Sequence, residues 1–197
     1  MVNNLMKKAL LLGGGLVVLI LIVMWSQGEP AGVVLDDSSD AVDTSEEADF
    51  SANFTFELGN FGAYFPMPPS YVPGNMPLKE GGSIETHLYQ YEAPDASLWQ
   101  AGFAEYPETS DLSDVEGSLA NSVETTRAAF EGEVVSLENT TYQGFPAVDY
   151  LISVQGGVGY FKGRNILNGH RFYTVGYAYD AGAEVASDHF FNSLVIN

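Results

Sequence analysis

Along a β-strand, residues two apart share a face. Tyr160, Lys162 and Arg164 are spaced in that way, and so are Arg171, Tyr173, Tyr177 and Tyr179. Between the two series stands Asn168-Gly169, a dipeptide suited to a two-residue hairpin turn because both positions tolerate positive φ. With that pair as the loop, Leu167 opposes His170, Ile166 opposes Arg171 and Arg164 opposes Tyr173. Three of the five basic residues between Phe50 and Asn197 then fall on one face of one hairpin, beside four tyrosines. Forked guanidinium donors and flat phenol rings together suit an anion or the acidic surface of a partner. A plainer arrangement uses the same residues. Taking Gly156-Gly157 as a second loop sets Val154 opposite Gly159, Leu151 opposite Lys162 and Asp149 opposite Arg164. On a solvated sheet face such a cross-strand ion pair contributes less than about 1 kcal/mol.

Candidates for catalysis are thinner. The histidines are His87, His170 and His189, with no His-x-x-x-His spacing. Asp188 and His189 are adjacent in an expected helix, where neighbours point apart, short of the geometry an acid–base pair needs. The chain has no Gly-x-Ser-x-Gly elbow and no Gly-Lys-Ser/Thr phosphate loop. Gly156-Gly157-Val158-Gly159 precedes no helix and reads as a hairpin. The absence of cysteine excludes disulfides, thiol catalysis and Cys-type zinc sites. No catalytic residue, metal or cofactor is assigned.

The elements that would hold these residues follow from pattern. Val134–Thr141, Ala147–Gln155, Val158–Leu167 and His170–Tyr179 read as a four-strand antiparallel meander, joined by Tyr142-Gln143-Gly144-Phe145, Gly156-Gly157 and Asn168-Gly169. One face carries Val148, Tyr150, Ile152 and Val154 with Phe161, Gly163, Phe172, Thr174 and Gly176. This is the expected core face, its glycines giving a helix room to approach. Upstream, Phe61–Pro66, Ile84–Tyr91 and Leu98–Tyr106 read as aromatic strands, with Trp99, Ala101 and Phe103 on one buried side. The segment 67–82 reads as a long loop and the natural cover for a cleft.

Two helices complete the pattern. Val115, Leu119, Val123, Thr126 and Phe130 recur at helical spacing, with Ser113 as N-cap, Glu116 closing a capping box and Gly132 ending the helix. A shorter helix from about Ala183 to Ser193 buries Val185, Phe190 and Leu194, and Val195-Ile196 finish as a strand. Strands and helices segregated in this order argue an α+β fold: an antiparallel sheet with a C-terminal meander, packed by two helices.

Three regions divide the chain. Residues 1–28 hold an apolar run without charge from Ala9 to Trp25, preceded by Lys7 and Lys8. About 17 residues at ~1.5 Å rise span roughly 25 Å, at the short end for a membrane helix. Lysines before and carboxylates after place the N-terminus in the cytoplasm and the rest outside it. Trp25 suits an interfacial anchor, whereas Ser26 and Gly28 would suit signal-peptide cleavage before Glu29. Residues 29–49, with Asp36, Asp37, Asp40, Asp43, Glu46, Glu47 and Asp49 and no basic residue, cannot bury enough apolar surface to fold. They read as an acidic spacer. Residues 50–197 form one domain with a net charge of −13, which argues against nucleic acid as a partner.

The stretches "FGAYFPMPP", "TTYQGFPAVDYLI", "HRFYTVGYAY" and "DHFFNSLVIN" resemble, in type and order, those of the PsbP/Mog-like family over residues 54–197. The resemblance implies a central antiparallel sheet flanked by helices and an accessory or binding role with no catalytic residue set. Its motifs describe turns and packing, and the anchor and spacer lie outside it. The expectation is a membrane-anchored, extracytoplasmic binding module for a protein partner, with Lys162, Arg164, Arg171, Tyr160, Tyr173 and Tyr177 as its binding residues. The alternative is a tethered hydrolase or lyase using His87, Asp188 or His189 beneath the 67–82 loop.

Overall fold

The computed structural model describes residues 52–78, 82–94, 97–181 and 187–197. The apolar run 9–25, the acidic spacer 29–49 and the first part of the expected second helix, with Val185, lie outside the described residues. No helix among the described residues is long and apolar enough to cross a membrane.

The described chain runs β1 (Ala52–Phe56), β2 (Phe61–Phe65), β3 (Ser70–Pro77), β4 (Ser83–Glu92), β5 (Leu98–Glu105), α1 (Val115–Ala129), β6 (Glu133–Tyr142), β7 (Phe145–Ser153), β8 (Gly159–Asn168), β9 (Arg171–Asp180), α2 (Ser187–Ser193) and β10 (Val195–Ile196). The strands form a seven-stranded sheet, in the order β3-β4-β5-β9-β8-β7-β6, and a three-stranded one, β1-β2-β10. Every pairing is antiparallel. The architecture is α+β, with the expected meander β6–β9 joined through β9 to the β3–β5 meander.

Each face of the large sheet has its own cover. On one face α1 presses Leu119 and Val123 onto Val148, Ile152 and Phe161. On the other, Phe61 and Phe65 of the small sheet and Phe190 of α2 pack on Trp99, Tyr173, Val175 and Tyr177. Phe61, Phe65 and Phe190 are fully buried, each contributing about 1.5–3 kcal/mol. The face expected to be solvated is thus largely a second core.

Beneath α1 lies a buried polar network. Thr174 donates to Asn165 Oδ1 at 2.9 Å, and Asn165 Nδ2 donates to Ser122 Oγ at 2.8 Å. The Tyr150 hydroxyl reaches the same Asn165 oxygen at 3.5 Å. Gly163 and Gly176 make room for the rings of Tyr150 and Phe161 respectively, not for a helix as their spacing suggested.

Several expectations are corrected. Residues 70–77 are no loop but edge strand β3, paired with β4 from Ser70↔Gln90 to Pro77↔Ser83. Pro73 and Pro77 mimic loop punctuation, yet an edge strand tolerates proline because one of its sides needs no donor. The β8–β9 turn is Gly169-His170, with Asn168 paired to Arg171. Positive φ occurs at Gly169 (58°) and not at Asn168 or His170, the type II′ requirement of glycine at the first central position. Arg164 therefore opposes Val175, not Tyr173; a shift of two leaves every side chain on its expected face. The β7–β8 loop is longer than two residues, with a 3-10 turn at Gln155–Gly157. It still keeps Asp149↔Arg164 and Leu151↔Lys162.

At α1 the N-cap is Asp114, not Ser113: its Oδ1 accepts from Gly117 N–H at 2.9 Å. At the other end Glu131, φ 47°, holds the left-handed position that glycine usually fills. Gly132 is needed for a different reason, since a Cβ there would collide with the Ser153 carbonyl oxygen.

Two substitutions at this helix end should therefore act in opposite directions in urea unfolding. Glu131→Gly relieves the left-handed penalty and should stabilise by about 1 kcal/mol, whereas Gly132→Ala should cost about 2–3 kcal/mol through overpacking. Burial pushes the Tyr150 phenol up to about 12. Between pH 10 and 12 the unfolded chain then loses a proton that the folded one keeps, so stability falls as pH rises. Tyr150→Phe should abolish roughly 3 kcal/mol of that alkaline loss, read as a flatter plot of unfolding midpoint against pH.

Candidate functional site

Strand β8 brings Lys162 and Arg164 to the side of the sheet on which α2 lies. Arg164 meets Asp149 on the neighbouring strand β7, and Lys162 meets Asp188 of α2. Arg164 binds Asp149 through two parallel bonds, Nε to Oδ1 at 2.6 Å and Nη2 to Oδ2 at 2.7 Å. Its Nη1 donates to the Phe191 carbonyl at 3.3 Å, and its guanidinium lies 4.4 Å from the centre of the Tyr142 ring. Asp149 holds the guanidinium pKa above its ordinary value, against the opposing effect of burial. The plainer expectation of an Asp149–Arg164 pair is met in stronger form. Fork geometry and partial burial make it a strut between β7, β8 and α2.

Lys162 Nζ donates to Asp188 Oδ1 at 2.9 Å and sits 4.9 Å from the centre of the Phe191 ring. The Asp188 side chain is 87% exposed, and the hydrogen bond from Lys162 keeps its carboxyl below the ordinary 3.8. Around this pair opens a cleft of about 360 Å³ on the outer side of the meander. Ser136 and Glu138 of β6, Lys162, Tyr179, Asp188 and Phe191 line it. Tyr160 flanks it, its ring 5.7 Å from that of Tyr179.

The six residues singled out by sequence do not form one patch. Lys162 lines the cleft, Tyr160 adjoins it through the Tyr179 ring, and Arg164 supports it through Asp149. Arg171 lies at the far end of β9, where Nη2 donates to Glu105 at 2.7 Å. Glu105, by that hydrogen bond, raises the Arg171 pKa. Tyr173 is 1% exposed and Tyr177 5%. Their hydroxyls donate to the Gly59 carbonyl at 3.1 Å and the Ser97 hydroxyl at 3.3 Å. These two rings belong to the core beneath the small sheet, whose packing no pattern within the meander discloses. Glu138 and Phe191 are the additions that only the fold supplies, and Asp188, named from sequence only for the rival enzyme reading, is placed here as the partner of Lys162.

The charge balance also differs from the expectation of an anion site. Among the described residues, each of Arg127, Lys162, Arg164 and Arg171 already holds a carboxylate. In the cleft lining, Glu138, Asp149 and Asp188 outnumber Lys162, so the surplus charge is negative.

The histidines stand apart. His87 Nδ1 shares a 2.7 Å hydrogen bond with Tyr71, and the ring stacks on Phe103. His189 meets Tyr64 edge to face, turned away from the Asp188–Lys162 pair. His170 occupies the β8–β9 turn, its carbonyl accepting from Tyr106 N–H. Among the described residues no three His, Asp or Glu side chains are grouped to hold a metal ion.

No protein-family model matches the chain, and no curated protein matches it. Among solved structures it is similar to the solution structure of cyanobacterial PsbP (CyanoP) from Synechocystis sp. PCC 6803. The likeness has 10% sequence identity and a TM-score of 0.47, over 80% of this chain and 98% of that one.

Arg164→Lys keeps the charge and loses the fork. It should lower stability by about 1–2 kcal/mol, and Asp149→Asn by a similar amount. The double variant should cost less than the sum, as a thermodynamic cycle by urea unfolding would read.

Proposed function

We propose that this chain is an accessory module without catalytic activity of its own, held at the outer surface of a membrane by Ala9–Trp25 and binding a protein partner at the cleft beside Lys162. The cleft itself is the supporting observation. Its Lys162–Asp188 pair is exposed at the Asp188 side, and such pairs contribute little to stability, so Asp188 can exchange this contact for a cation of a partner. Tyr160 and Tyr179, both half-buried, add aromatic surface of the kind enriched at interfaces. The rival hydrolase or lyase relied on a loop over 67–82. Its residues 70–77 are an edge strand, and His87 is engaged by Tyr71 and Phe103.

The test is cross-linking of the full-length protein in native membranes, with partners identified by mass spectrometry. One stoichiometric partner should appear, be lost with Asp188→Lys and persist with Arg171→Lys, which lies away from the cleft. No partner above background would overturn the proposal. External protease should digest the domain in intact cells; protection would overturn the assigned orientation.

A further inference from the structure

Among the described residues neither edge of the seven-stranded sheet pairs with a further strand, and the two edges differ. The β3 edge is interrupted by Pro73 and Pro77, which keep another strand from continuing the ladder. Strand β6, ten residues from Glu133 to Tyr142, contains no proline, lysine or arginine. It is exposed along nearly all its length, including Val134 at 40%, Val135 at 55% and Leu137 at 46%. Among the described residues it pairs with β7 alone, which turns half of its backbone N–H and C=O groups outward. Its devices against self-pairing are the register shift between Val134 and Ser136 and the charges of Glu133 and Glu138.

Those charges select the occupant. A second copy of this chain would bring the same carboxylates and a net charge of −19, so like charge opposes pairing between copies. A strand carrying Lys or Arg would instead be drawn to the edge. Pairing with β7 fixes what each of its sides would meet. Val134 and Leu137 lie opposite Ile152 and Tyr150, on the α1 face. Ser136 and Glu138 lie opposite Leu151 and Asp149, on the cleft face.

We infer that β6 is a docking edge for an extended basic segment of a protein partner, which adds to the sheet as an eighth strand. Its cationic side chains meet Glu138 and the cleft carboxylates, while alternate aliphatic ones cover Val134 and Leu137. Main-chain hydrogen bonds supply affinity, and the two-residue alternation supplies specificity. This rests on the accessory-module reading and names the partner chemistry of the same site.

The experiment uses full-length protein in neutral detergent and a ten-residue synthetic peptide alternating Lys and Val. A control peptide of equal charge is N-methylated at every second residue, in either frame, to remove strand donors. Amide hydrogen exchange should slow within Glu133–Tyr142 when the first peptide is added. The methylated peptides should bind at least tenfold more weakly. Glu133→Gln/Glu138→Gln should reduce affinity about tenfold and flatten its salt dependence, with the unfolding midpoint as a check on folding. Equal binding of both peptide types, or no slowing in β6, would overturn the inference. In native membranes the two ideas separate. A partner lost with Asp188→Lys but retained by the Glu133→Gln/Glu138→Gln variant would reject strand addition and keep the accessory role. Absence of any partner would reject the accessory role, and the strand-addition proposal with it.

Discussion

Tyr173 sits in the middle of the large sheet, on β9 between β5 and β8, with its hydroxyl on the carbonyl of Gly59. Arg171 Nη1 reaches the same carbonyl at 3.4 Å. Gly59 itself lies so close to the rings of Phe103 and Phe61 that no Cβ would fit. This contact pins the turn between β1 and β2 onto the large sheet, and with it the small sheet that shields the second core. If that cover were lifted, Phe61, Trp99, Tyr173 and Tyr177 would be exposed together, at a cost on the order of several kcal/mol.

The C-terminal segment is fastened to the same assembly. β10 pairs with β2, and Asn197 N–H donates to the Asn60 carbonyl. From the opposite side the β6–β7 turn closes over it. Tyr142 and Gln143 both donate to the Leu194 carbonyl, at 2.7 and 2.6 Å, and Gln143 Oε1 accepts from Ile196 N–H. The meander's first turn therefore positions α2, and α2 in turn supplies Asp188 and Phe191 to the cleft. The cleft's geometry depends on elements about fifty residues apart in the chain meeting at the C-terminus.

Charge is organised on this frame. Asp149 and Glu105 engage the two guanidinium groups of the meander, which leaves an acidic surface beside the cleft. Each of Lys162, Arg164 and Arg171, the cations that alternation placed on one face, is paired with a carboxylate. The same acidity distinguishes the two sheet edges: one is closed by proline, the other is left continuous and negatively charged.

Much of the local order was legible in the residues. Strand spans in the meander, the α1 span and the pairing of Asp149 with Arg164 follow from alternation, helical spacing and turn chemistry, all of which act over a few neighbours. Even the misplaced β8–β9 turn left each side chain on its face, because a shift of two preserves the period of a strand. Edge strand β3 was hidden because proline and glycine signal a loop wherever ladder donors are needed on both sides, and an edge needs them on one. What only the tertiary structure decided is the fate of the second face. Whether Tyr173 and Tyr177 meet water or Phe61, Phe65 and Phe190 depends on β1, β2, α2 and β10 folding back over the meander. Burial is set by contacts distant in sequence, and no period within a strand encodes them.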